Sequence, residues 1–372
     1  MTGLMEHFES LTDPRMERRK LHKLHDIIFI TIAAVICGCD EWNDIEEFGQ
    51  IRYEWLRTML ELPHGIPSHD TINRVFSLLD PQQLQQCFTR WVQAVAQISE
   101  GSIISIDGKR MCNSGEGGNK AIIHMVSAWS NANNMVLAQQ KVNEKSNEIT
   151  AIPALLDLLD IKGCLVTIDA MGCQQDIAKK IIRKEADYIL AVKNNQEHLY
   201  DDMQEAFEQD KNIVSNVQVH ADHGRIEKRT CSIITATDWI CKQQNWTNLH
   251  TLIKIESERT IKATEVKQVQ TRYYISSHQG DAAFFNHAVR AHWGIENKLH
   301  WTLDVAFGED NSTKQAGNAA ENFSFINKIA LNLLKQHQDK RGAQKVSIKT
   351  KRKKCGWDKD YLLKVLNTSN QF

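Results

Sequence analysis

The stretch from Cys164 to Gln196, "CLVTIDAMGCQQDIAKKIIRKEADYILAVKNNQ", restricts the fold more than any other part of the chain. "CLVTIDAMG" is a continuous apolar run ending in Asp169, the pattern of a buried strand. "CQQDIAKKIIRKEA" spaces its apolar residues for one face of a helix, and "DYILAVKNNQ" is again a strand. Four more elements precede this unit. "SIISIDG" is a short strand ending in Asp107 and a glycine turn. "AIIHMVSAWS" and "MVLAQQKV" are strands separated by the turn-rich "NANN". "NEITAIPALLDLLDI" reads as a helix, with Pro153 near its start, where proline is tolerated. Three strands, helix, strand, helix, strand make a mixed α/β layer with an antiparallel edge.

Residues 1–95 read as helical, and this places an all-helical N-terminal domain before the α/β fold. "DIIFITIAAVICG" is one helix and "WNDIEEFGQIRYEWLRTMLEL" a second. "PHGIP" breaks the chain, "SHDTINRVFSLLD" restarts it with Ser68 as N-cap, and "PQQLQQCFTRWVQAVAQI" follows. A capped helix carrying an exposed Arg74 after a Gly/Pro break is compatible with a DNA-reading helix-turn-helix. A plain helical bundle fits equally, and the sequence alone favours it. Residues 96–200 hold the α/β core. Residues 201–285 are β-rich ("RTCSIITATDWI", "LHTLIKIESERTI", "QTRYYISS") and read as an insertion. Residues 286–340 return to helices, and 341–372 read as a basic tail.

Composition excludes several classes. The apolar run Asp26–Cys39 is shorter than the roughly 20 residues a membrane span needs, and no small-residue cleavage pattern follows it. It reads as a buried helix of a cytoplasmic protein. Nine cysteines without a CxxC pair read as reduced thiols, with no zinc site. Net charge is −1, so no overall basic excess points to nucleic acid. The distribution says more. "PRMERRKLHKLH" and "VSIKTKRKKCGWDK" are basic, the latter gathering Lys349, Lys351, Arg352, Lys353 and Lys354. Basic ends on a neutral body fit local phosphate contact, although charge alone favours a solvated tail.

Asp107 and Asp169 both end apolar strands, and ligands of open α/β sheets collect at such carboxyl ends. If their strands are neighbours, the two carboxylates repel unless a cation lies between them. Oxygen-only ligands suit Mg²⁺ or Mn²⁺. A third carboxylate completes two metal sites able to clamp the attacking and leaving oxygens of a phosphodiester. Read singly, an aspartate before a glycine is ordinarily a turn residue and Glu296 a surface charge.

Further motifs carry a resemblance. "SIDGK", "TIDAMGCQ", "YILAVKNNQ" and "HWGIENKLHWTLDVAFGED" closely resemble blocks of bacterial insertion-sequence transposases of the DDE type. More narrowly, they resemble the H-repeat-associated proteins found near Rhs elements. "DPR", "FGQIR" and "IPSHDTINRVFSLLDP" resemble that family's associated helical region, and the likeness extends to about residue 335. It implies an RNase H-like catalytic domain interrupted by a β-insertion. It implies that Asp107, Asp169 and Glu296 are catalytic and hold two Mg²⁺ or Mn²⁺ ions. The implied activity is cleavage and strand transfer on double-stranded DNA, in a cytoplasmic, nucleoid-associated protein that pairs DNA ends as a synaptic homodimer. A stand-alone nuclease and an inactive DNA-binding remnant stay open beside it.

Related families place an arginine four residues before the glutamate, a tyrosine three earlier still and a lysine seven after. Here those positions hold His292, Val289 and Leu303, with Arg290 and Lys298 nearby. His292, Glu296, His300 and Asp304 fall on one i, i+4 track, which makes the histidines and Asp304 candidates for supporting or phosphate-binding roles. Lys193 and Asn194 stand at the end of their strand and are candidates for the same edge. Trp293 and Trp301 read as packing residues rather than base-stacking platforms.

Overall fold

The computed structural model describes residues 3–111, 123–142, 147–222, 224–236, 240, 245–262, 266–341 and 344–368. The last part of "RTCSIITATDWI", beyond Ala236, lies largely outside them.

Residues 3–95 form helices and turns only. The apolar run builds α1 (Leu24–Ile36), in which every residue from Asp26 to Ile36 is buried. A helix that is apolar all round needs partners on every side. Next come α2 (Trp42–Ile51), α3 (His69–Leu78) and α4 (Pro81–Val95). Ser68 Oγ caps α3 by accepting from the Thr71 N–H. Asp80 caps α4 from Gln82, with Pro81 in the first turn. The helix expected over residues 42–62 is interrupted at Arg52, whose guanidinium donates to the Gly356 carbonyl at 2.6 Å. Only a short turn, Tyr53–Leu56, continues it.

The α/β part begins with β1 (Ile103–Met111), β2 (Ile123–Ser130) and β3 (Met135–Lys141). Then follow α5 (Glu148–Asp157), β4 (Leu165–Ile168), α6 (Gln175–Arg183), β5 (Asp187–Val192) and α7 (Glu197–Gln209). Pro153 is the sixth residue of α5, past its first turn, so the helix forgoes a backbone hydrogen bond there. The β-rich segment supplies β6 (Val214–Asp222), β7 (Arg225–Thr235), β8 (Thr251–Ile261) and β9 (Lys267–Ser276). These nine strands form one sheet, ordered β3-β2-β1-β4-β5-β9-β8-β7-β6. β1, β4 and β5 are parallel; the other pairings are antiparallel. The β-rich segment thus extends the central sheet through the β5–β9 pair.

The C-terminal part holds α8 (Ala282–Gly294), a π-helical turn over Ile295–His300, α9 (Trp301–Phe307) and α10 (Ala319–Gln336). Every residue of α10 from Ala319 to Leu334 except Glu321 is buried. α10 packs on α1, α3 and α4 on one side and on β3 on the other. Asn322 Nδ2 donates to the carbonyls of Phe76 (2.8 Å) and Leu79 (3.0 Å), and Asn332 Nδ2 to Val136 (2.9 Å). Buried side chains run without a break from Phe29 through Phe88 and Phe325 to Trp129. The N-terminal helices therefore share the core of the sheet.

The basic tail is corrected. It folds into α11 (Ile348–Trp357) and α12 (Lys359–Leu366). Two of its cations are structural. Lys351 Nζ donates to the carbonyls of Leu334 (2.7 Å) and His337 (2.5 Å). The Arg352 guanidinium caps the Val35 carbonyl at the end of α1 and pairs with Asp40. Both are buried, with their donors turned to the protein rather than to solvent. Lys354 pairs with Asp339 at 2.7 Å, and Lys353 is exposed. Arg74 is exposed on α3. No helix among the described residues is long and apolar enough to cross a membrane.

Candidate active site

β1 and β4 pair in parallel, Ile106 opposite Ile168. Asp107 and Asp169 are the next residues on each, so the two carboxylates leave matching positions on neighbouring strands. Asp169 Oδ1 accepts from the backbone N–H groups of Met171 (3.1 Å) and Gly172 (3.4 Å), so the turn after β4 orients the side chain. Asp107 does not end its strand at a turn. Gly108 stays in β1 opposite Val126. A Cβ on Gly108 would come within 2.2 Å of Glu148 Oε1 and 2.8 Å of His124 Nε2. The glycine admits those side chains beside Asp107.

Glu148 is a fourth acid that the sequence reading missed. It opens α5 and lies 2.8 Å from His124 Nε2. Burial pushes its carboxyl up to about 7, and the Asp169 charge adds to this. Burial likewise lowers His124. The pair is a hydrogen bond with little ionic character at neutral pH. Burial also pushes Asp107 up to about 7, reinforced by the charges of Asp169, Glu148 and Glu296.

Glu296 reaches this site from the opposite wall, exposed on the π-helical turn. Such widened turns cluster at functional sites, and no spacing rule for an α-helix reveals one. Asp107, Asp169 and Glu296 line one cleft of about 860 Å³, together with Lys193, Asn194 and His292. Asn195 Nδ2 donates to the Ala170 carbonyl at 2.7 Å, tying the loop after β5 to the turn after Asp169.

The expected i, i+4 track separates. His292 Nδ1 lies 2.9 Å from Thr167 Oγ1, and burial lowers the imidazole to about 4. His300 is buried with Nδ1 3.5 Å from Asp107 Oδ2, lowered to about 3 by burial and by Lys109 and Lys328. Both rings are neutral at physiological pH. Asp304 turns away and pairs with Lys109, which also lies 3.0 Å from buried Glu309. Burial opposes the charge on Lys109, but Glu309 and Asp304 outweigh it and hold its pKa above the usual lysine range. Arg290 and Lys298 line an adjoining cavity rather than the acid cleft. Trp293 is half-buried and Trp301 is exposed.

The donor set suits an oxygen-seeking divalent cation: three carboxylates on one cleft, two of them in mutual repulsion that a cation would relieve. Among the described residues no three acidic or histidine side chains stand close enough to hold an ion together. A shared ion requires the exposed Glu296 to reach toward the aspartates.

A mixed sheet with aspartates at matching positions on two parallel neighbours is the setting in which the comparisons with known proteins place the chain. It belongs to the family described as Transposase DDE domain, which matches residues 78–333, and the family described as DDE_Tnp_1-associated matches residues 5–92. Within that class the chain is a DDE transposase of the H-repeat-associated type. It is 45% identical to the "Putative transposase YncI" of Escherichia coli O157:H7, covering 99% of this chain and 95% of that one. It is 40% identical to the "H repeat-associated putative transposase YhhI" of Escherichia coli strain K12, covering 98% and 97%. A solved piggyBac transposase in a synaptic complex with hairpin DNA aligns over 99% of this chain and 78% of its own, with TM-score 0.44 and 11% identity.

Proposed function

We propose that the protein cleaves double-stranded DNA at the ends of an insertion-sequence element and joins those ends to target DNA. The observation that carries this reading is the pairing of Asp107 and Asp169 at matching positions on neighbouring parallel strands, with Glu296 across the same cleft. The order β3-β2-β1-β4-β5, with β1, β4 and β5 parallel, supports an RNase H-like core over residues 96–200 and 286–340. Strands β6–β9 then fall in the segment inserted over 201–285, behind a helical region over 1–95.

Asp107, Asp169 and Glu296 would hold two Mg²⁺ or Mn²⁺ ions. When bound, these supply an activated water or 3′-hydroxyl and neutralise the leaving oxygen. Asp169 keeps its orientation through two backbone N–H groups. Glu148 and His124 fill the space over Gly108, and His300 Nδ1 stands 3.5 Å from Asp107 Oδ2. Neutral His292 braces the Glu296 helix against β4. Lys193 and Asn194 line the same cleft and would be available to hold a phosphate there. Joining two ends calls for a synaptic homodimer, acting on the nucleoid in the cytoplasm.

The test is incubation with Mg²⁺ and DNA carrying the inverted repeats that flank the gene. Wild type should nick the ends and join them to a target, and Asp107→Asn, Asp169→Asn and Glu296→Gln should do neither. A wild type that cuts nothing overturns the reading. Equal cutting by Glu296→Gln removes that residue from the triad, and cutting without joining favours a plain nuclease.

A further inference from the structure

Beside the acid cleft lies a larger cavity of about 1110 Å³. α8 covers the apolar half of β7–β9, over Cys231, Ile253 and Ile255. Past Arg290 the same face turns polar and is left open. Arg229 on β7 lies opposite Ser257 on β8, which lies opposite Gln270 on β9; the next row is Glu227, Arg259 and Gln268. Arg272 adds a further cation on β9, and its guanidinium stacks 4.7 Å from the Trp293 ring. Four arginines and Lys298 line this cavity against two acids, Glu100 and Glu227.

Arg229 is the unexplained residue. It is 4% exposed, and its Nε and Nη1 are enclosed without a hydrogen-bond partner among the described residues. Glu227, which shares its face, lies 3.6 Å from Arg290 instead. Burial disfavours the Arg229 charge, and the like charges of Arg290 and Arg272 add to this. A guanidinium is held protonated in almost any surroundings, so a buried one facing other cations calls for an anion. Nε and Nη1 face opposite edges of the guanidinium and so do not act as one fork; the match to a phosphate lies in the cavity wall, where Arg229, Arg259, Arg272 and Arg290 come together.

We propose that Arg229 is the floor of a phosphate-binding groove that leads the DNA backbone into the acid cleft. Gln270, Arg272 and Trp293 line both cavities, so the groove opens directly onto Glu296. The site is sequence-independent, because it meets the backbone rather than base edges. This rests on the proposed action on DNA.

The test is binding of a short labelled DNA duplex at several salt concentrations, with Ca²⁺ in place of Mg²⁺. Arg229→Met should bind about ten-fold more weakly and lower the slope of log K against log salt by about one. Its melting temperature should equal or exceed wild type, since two of the three nitrogens removed have no hydrogen-bond partner among the described residues; a purely structural arginine would lower it. Arg259→Met, at the exposed mouth of the groove, should lower the slope without disturbing the buried face. Lys179→Met, exposed on α6, should bind as wild type does. If Arg229→Met and Arg259→Met bind like wild type while wild type cuts DNA, the groove is wrong and the activity stands. If wild type binds with these dependences but never cuts, the activity is wrong and the groove stands. If wild type does not bind DNA, both fall.

Discussion

Thr167 Oγ1 and His292 Nδ1 stand 2.9 Å apart, and this contact joins the strand that presents Asp169 to the helix that presents Glu296. Related families keep an arginine where His292 stands. Here burial lowers the imidazole to about 4, so it positions rather than binds a phosphate through charge. The ring should show no titration between pH 5.5 and 8 when its proton resonances are followed by NMR. Thr167→Val should slow DNA cleavage by roughly ten-fold or more through misplacement of Glu296, while circular dichroism stays that of wild type. A midpoint near 6.5 for His292 would contradict this role.

The repulsion at Asp107 has a stability consequence. Its folded pKa, about 7, is above the ordinary 3.8. A raised acid lowers stability once it must ionise: the cost is absent below about pH 4, grows through the interval, and is complete above about 7. Asp107→Asn should therefore stabilise the metal-free protein by about 2 kcal/mol at pH 8 and scarcely at all at pH 4. Thermal melts at the two pH values measure the difference. Mg²⁺ should raise the melting temperature of wild type more than that of the variant.

Gly108 is required by its neighbours rather than by its backbone. Gly108→Ala places a methyl group against Glu148 and His124, and overpacking of this kind costs about 1–3 kcal/mol. Displacing Glu148 also moves a charge that acts on Asp107, so DNA cleavage should fall more than stability does. Paired melting and cleavage assays decide it; an alanine variant with wild-type cleavage would show that the crowding has no part in the site.

Arg352 and Lys353 are adjacent in a basic run but differ in role. Arg352→Ala removes the partner of Asp40 and one of the donors to the Val35 carbonyl, which keeps the Gly38 N–H; loss of a partly buried ion pair with its hydrogen bonds should cost about 2–3 kcal/mol. Lys353→Ala, on the exposed side of α11, should change stability by less than about 0.5 kcal/mol. Urea unfolding of the two variants tests this directly. Deletion of residues 345–356 should destabilise the fold rather than only flatten the salt dependence of DNA binding.

Local order was legible in the chain. Apolar run lengths and helical spacing identified α1, α3, α4, α6 and the strands that bear both aspartates, because burial on one face or all faces imprints a period on the chain. Ser68 and Pro81 marked helix starts through chemistry confined to a single turn. Glu296 stood out as the third acid only through the resemblance of its motif. The tertiary structure decided everything that depends on residues far apart in the chain. It placed β1 beside β4, so that Asp107 meets Asp169, and brought Glu148 and His124 against Gly108. It buried Lys351 and Arg352, which charge alone assigned to solvent. It widened the helix at Glu296 and left Arg229 enclosed without a partner. Partner identity and desolvation govern a charged side chain, and neither is set by its sequence neighbours.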